Sequence, residues 1–204
     1  MPPSDDSYSP PEVLFTPTGQ TPEVRTIMSA HEAGHATVGL SLGAVIEAVY
    51  ARIHSRLPNG NFRVQHLTRF SSVGWPRLDT RAKVLIVAGG AAGEFLLNGK
   101  WDHAEVNVDR HVLRELGFSC FDYCAEQATA LLVHNKRLLR EVRDALTARM
   151  SDMRNCGLAK GGTHVVLLSN QEISRMFGEL GRRIECPDFD LDKAVGSSVQ
   201  RRTP

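Results

Sequence analysis

The sequence predicts a mainly α domain with a small antiparallel sheet and a C-terminal helical bundle. Three observations carry this. Small or apolar residues recur at helical spacing, or fill whole turns, across residues 22–42, 80–98 and 121–150. Two short strand-like runs flank the turn residues Pro58-Asn59-Gly60. Helix-start signals stand at Thr21-Pro22, Asp79-Thr80 and Ser169-Asn170-Gln171-Glu172, the last being a capping box.

In chain order, residues 1–20 are rich in Pro, Ser and Asp without an apolar period, and are expected to be a disordered tail. The first helix follows, with Val24, Ile27, Met28, Val38 and Leu42 on its apolar side and Gly43 as its stop. Val45–Ile53 reads as a strand and Phe62–Leu67 as its returning partner. The second helix, from Asp79-Thr80 to about Asn98, is apolar nearly all round, so it is expected to be buried. Gly89, Gly90 and Gly93 each cost about 1 kcal/mol in a helix interior. Close packing against Ala33 and Gly34 of the first helix is the expected return.

A third helix is expected from near Val108, then one long helix from about Phe121 to Met150. Ala125, Ala128, Leu132, Leu139, Val142 and Leu146 form its stripe, which Leu131 and Leu138 widen beyond a two-stranded seam. A Gly-rich connection leads to the last short helix, and from Ile184 the chain reads as an irregular or disordered tail, residues 184–204. The folded domain is therefore expected over residues 21–183.

At 204 residues and 42% hydrophobic content the chain can build one substantial core. A net charge of +1 argues against a general binder of nucleic acid or acidic membranes. Cys120, Cys124, Cys156 and Cys186 have no disulfide-rich spacing, no signal peptide is read, and a cytoplasmic compartment is expected. No segment is long enough to span a bilayer; Val84–Gly93 is too short. Gly93–Lys100 imitates a phosphate-binding loop, but the gap is one residue too long and Trp101 replaces the Ser/Thr.

The stretch that carries chemistry is Ala30-His31-Glu32-Ala33-Gly34-His35-Ala36. On a helix, His31 and His35 project from one face a turn apart and can share one metal ion. Glu32, on the adjoining face, can reach a water on that ion. This is the H-E-x-x-H arrangement of zinc hydrolases.

HEAGHA, Val45–Arg52, Ala88-Gly89-Gly90-Ala91-Ala92-Gly93-Glu94-Phe95-Leu96 and residues 125–173 together resemble the M41 peptidase domain. That domain is the proteolytic half of FtsH-type ATP-dependent proteases. The likeness spans roughly residues 23–178. The family usually has arginine where Ala91 stands and a second acid where Phe95 stands. The resemblance implies a helical zincin-like metallopeptidase domain whose small sheet lies next to the HExxH helix; with no phosphate-binding loop read, it is expected to be free-standing without the ATPase module.

It also implies one Zn2+ held by His31, His35 and an aspartate opening the helix after the Gly-Ala-rich one. In the segment Asp102–Arg110, Asp109 suits best, since it opens the apolar run Val112, Leu113 and Leu116. Glu94, Asp102 and Glu105 are the alternatives, and a residue-for-residue reading places Asn107 there instead. Glu94 is otherwise a candidate hydrogen-bond partner of a ligating imidazole. Glu32 is the expected base that activates the zinc-bound water.

The implied function is zinc-dependent hydrolysis of peptide bonds in flexible or unfolded polypeptides. An extended peptide is expected to add to the edge of the Val45–Ile53 strand. A separate ATPase or self-assembly is the implied further partner. The rival reading is a catalytically inactive M41-like binding or regulatory protein. A third is a scaffold dimerising through the 125–146 stripe.

Overall fold

Helices α1 (Pro22–Ser41) and α2 (Thr80–Asn98) lie against each other at the centre of the molecule. The computed structural model describes residues 13–15, 22–56, 62–101, 103–152 and 163–195. Helix α2 begins where its sequence predicts: the Asp79 side chain accepts the Ala82 N–H at 2.7 Å. It ends on Gly99, whose φ of 76° is left-handed. Every residue from Val84 to Glu94 is buried.

Small residues set how near the two helices come. A Cβ added to Gly34 would fall 2.0 Å from the Gly89 carbonyl oxygen. One added to Gly93 would lie 2.5 Å from the Ala30 carbonyl oxygen and 2.8 Å from the Gly34 Cα. The contact thus runs backbone to backbone, through Gly34 and Ala30 on α1.

Strands β1 (Val13–Phe15), β2 (Ile46–Arg56), β3 (Phe62–Phe70) and β4 (Thr163–Ser169) form one antiparallel sheet in the order β1-β3-β2-β4. It lies beside α1: the Phe70 ring sits over Gly39, and Thr68 bonds to Glu32. Two expectations change here. The run Thr163–Leu168, read as part of a connection, is a strand because β2 offers it a full edge, from Ile53↔Thr163 to Ala48↔Ser169. For the same reason β2 is flanked on both sides from Ala48 to Ile53 and offers a peptide no edge there. The turn Pro58-Asn59-Gly60 lies outside the described residues.

Helix α3 (His103–Glu115) starts before Val108. The expected long helix is two: α4 (Phe121–His134) and α5 (Lys136–Asp152). The break is Asn135, at φ −119° and ψ 27°. Its Nδ2 donates to Ser41 Oγ at 2.7 Å and to the Arg182 carbonyl at 2.9 Å, and its Oδ1 accepts the Arg182 N–H at 2.8 Å. A buried amide that satisfies three backbone and side-chain groups here outweighs one more turn of continuous helix. The apolar stripe of α4 and α5 is buried in the chain's own core, which removes it as a dimerising face.

Helix α6 (Asn170–Leu180) opens on the expected capping box at Ser169 and Glu172. The C-terminal segment is not a free tail as far as residue 195. The Ile184 N–H donates to the Ser41 carbonyl at 2.9 Å, and helix α7 (Leu191–Val195) buries Ala194, with Phe189 just before it. Likewise Val13–Phe15, expected in the N-terminal tail, pairs with β3; residues 1–12, 16–21 and 196–204 lie outside the described residues. Among the described residues no helix is long and apolar enough to cross a membrane.

Gly34→Ala forces backbone against backbone and should cost about 3 kcal/mol or more, the upper end of overpacking penalties. Gly99→Ala, at positive φ but with open space around it, should cost only about 1 kcal/mol. Urea denaturation of the two variants checks the contrast; equal losses would contradict it.

Candidate metal centre

Helix α1 presents His31 and His35 to α2, and α2 answers with three positions a turn apart. Ile86 supplies a carbonyl that accepts from His35 Nδ1 at 2.8 Å. Glu94 supplies Oε1, 2.6 Å from His31 Nδ1. Between them Gly90 leaves a gap: a Cβ there would lie 2.5 Å from His31 Cε1 and 2.6 Å from both Nε2 atoms. A carbonyl only accepts, so the proton of neutral His35 sits on Nδ1. The Glu94 carboxylate holds the His31 proton on Nδ1 in the same way.

Both Nε2 atoms therefore point lone pairs into one space, 3.0 Å apart. Asp109, from α3, closes the group: Oδ1 is 3.4 Å from His35 Nε2 and Oδ2 is 3.6 Å from His31 Nε2. One donor atom from each of the three residues lies within 4.8 Å of the others. Asp109 is 5% exposed, yet its Oδ2 has no hydrogen-bond partner among the described residues. An orphaned carboxylate oxygen beside two converging lone pairs fits a cation. Two nitrogens on a tetrahedral zinc stand roughly 3.3 Å apart, close to the spacing here.

The electrostatics agree. Burial lowers the proton affinity of both imidazoles, since charge is costly out of water. The Asp109 carboxylate opposes this; the Glu94 hydrogen bond and charge add to it at His31. The balance raises His31 to about 10 and raises His35 as well. Without a metal the site thus draws a proton in its place.

Glu32 is 4% exposed on α1 and accepts a hydrogen bond from Thr68 Oγ1 of β3 at 2.7 Å through Oε2. Of the alternative third ligands, Glu94 lies on the Nδ1 side of His31, behind the imidazole, while Asn107 is exposed. Asp102 and the Glu105 side chain lie outside the described residues. Ala91 is buried and Phe95 is 48% exposed. Cys120 and Cys124 are free thiols, and burial together with Cys120 pushes Cys124 up to about 12. Beside Glu94 lies a cavity of about 550 Å³ walled by Ile27, Phe95, Asn98 and Trp101.

The chain matches no protein-family model and no curated protein. The site is therefore read from its own geometry. Thr68, the Ile86 carbonyl and the gap at Gly90 are the parts that sequence reasoning missed. Gly90 was visible only as one of three costly helix glycines, and nothing in the sequence marked Thr68.

In the metal-free protein the raised His31 pKa stabilises the fold fully below the unfolded value of 6.5, and this is lost as pH climbs toward 10. The chelated protein should therefore lose thermal stability steadily from pH 6.5 to 9, and zinc should flatten the decline. Melting temperatures with and without chelator check this; a flat chelated profile would contradict it.

Proposed function

We propose that the chain is a zinc-dependent metallopeptidase with an M41-like, zincin-like catalytic domain. The observation that carries the reading is the convergence of His31 Nε2, His35 Nε2 and Asp109 on one space, with both Nδ1 atoms tied outward. Three protein ligands with an open fourth position is the pattern of hydrolytic rather than structural zinc.

When bound, zinc would acidify a water and polarise a peptide carbonyl. The chain's residues do the rest. His31, His35 and Asp109 hold the ion, while Glu94 and the Ile86 carbonyl fix the two rings in the ligating tautomer. Glu32, next to His31 but turned to β3, takes a proton from the attacking water and gives it to the leaving amine.

An extended peptide would lie along β3. Its side away from β2 is paired with β1 only at Phe62–Val64, and among the described residues no strand covers it from Gln65 to Phe70. That stretch includes Thr68, which reaches Glu32. Substrates would be flexible or unfolded polypeptides.

Purified protein should carry about one zinc per chain, and Asp109→Ala should lose it. Glu32→Gln should keep the zinc while lowering kcat/KM on an unstructured peptide by at least about 100-fold. Metal analysis and peptide cleavage check both. Zinc retained with no cleavage by the unaltered protein would instead favour the inactive binding module.

A further inference from the structure

We infer that Thr68 is a positioning residue for Glu32, holding the carboxylate of the base in one place through both of its protonation states. This rests on the peptidase reading of the site. The Glu32 side chain has three rotatable bonds, and α1 constrains only the first of them strongly. Two independent elements therefore have to agree on where the carboxylate sits. The second element is the sheet: Thr68 Oγ1 lies 2.7 Å from Glu32 Oε2 and 3.3 Å from the Glu32 main-chain carbonyl oxygen. Thr68 is itself held by strand pairing, opposite the fully buried Val49 of β2.

A hydroxyl has one proton and two lone pairs, and Glu32 Oε2 and the Glu32 main-chain carbonyl oxygen are within its reach. While Glu32 is a carboxylate, Thr68 donates its proton to Oε2. The proton taken from water goes to Oε1, the oxygen that Thr68 does not hold, and Oε2, now the carbonyl oxygen of the acid, still accepts from Thr68. When Glu32 passes the proton to the leaving amine, the first arrangement returns. Thr68 itself neither gains nor loses a proton over the cycle.

Valine has the shape of threonine without the hydroxyl and suits a strand equally well. Thr68→Val should lower kcat about tenfold to a hundredfold, with KM and bound zinc unchanged, and Thr68→Ser should restore most of the loss. A valine variant with unaltered kcat would overturn the inference. So would a serine variant as impaired as the valine one, or a loss carried by KM alone. Crystal structures of the unaltered, valine and serine proteins give a readout independent of turnover. The Glu32 carboxylate should leave Thr68 only in the valine variant; an unmoved carboxylate there overturns the inference. Absence of cleavage by the unaltered protein would count against the peptidase reading alone, since those structures still report on what holds Glu32.

Discussion

Two nitrogen lone pairs 3.0 Å apart in a buried space repel unless a cation lies between them. That constraint organises the molecule. The pair cannot relieve itself by a tautomer switch, because the Ile86 carbonyl and the Glu94 carboxylate keep both Nδ1 protons where they are. Nor can the rings turn freely, since they pack edge to face with centroids 4.6 Å apart against the Gly90 gap. Asp109 then adds a carboxylate with one unsatisfied oxygen. A proton or a metal ion relieves the two lone pairs and the carboxylate together.

Such a site needs two helices closer than ordinary side chains permit. A main-chain carbonyl of α2 can meet an imidazole of α1 only if little stands between the backbones. Gly34, Gly89 and Gly93 remove what would stand there, and Gly90 makes room for the rings themselves. The helix-propensity cost, about 1 kcal/mol per glycine, is offset by the burial of an uninterrupted stretch from Val84 to Glu94. The glycine run and the metal-ligand pattern are therefore one feature divided between two helices.

What could be read in advance is what depends on neighbours along the chain. The cap at Asp79, the capping box at Ser169 and the i, i+4 histidines are local, and each stands where the residue pattern places it. What escaped depends on partners far away in sequence. Asn135 breaks a helix because Ser41 and Arg182 await its amide, and no window around residue 135 contains either. β4 is a strand because β2 has a vacant edge, and 184–195 is held by the Ser41 carbonyl and by burial of Phe189 and Ala194. Asp109 could be favoured over Glu94 only by likeness to a family. In space the two separate at once, one facing Nε2 and the other Nδ1.

The charge at the centre links this geometry to the stability of the whole domain. Glu32, Glu94 and Asp109 are each at most 5% exposed and crowd around two imidazoles. Carboxylates taken out of water cost several kcal/mol apiece unless paired. Glu32 is bonded by Thr68, Glu94 by His31, and Asp109 makes weak contacts to both rings. Asp109 Oδ2 is left without a hydrogen-bond partner among the described residues, and a divalent ion supplies more positive charge there than a proton can. Whatever cation binds there must therefore favour the folded chain, because the ligands come together only when α1, α2 and α3 are in place. The burial of the centre thus ties the packing of three helices to any cation that it takes up.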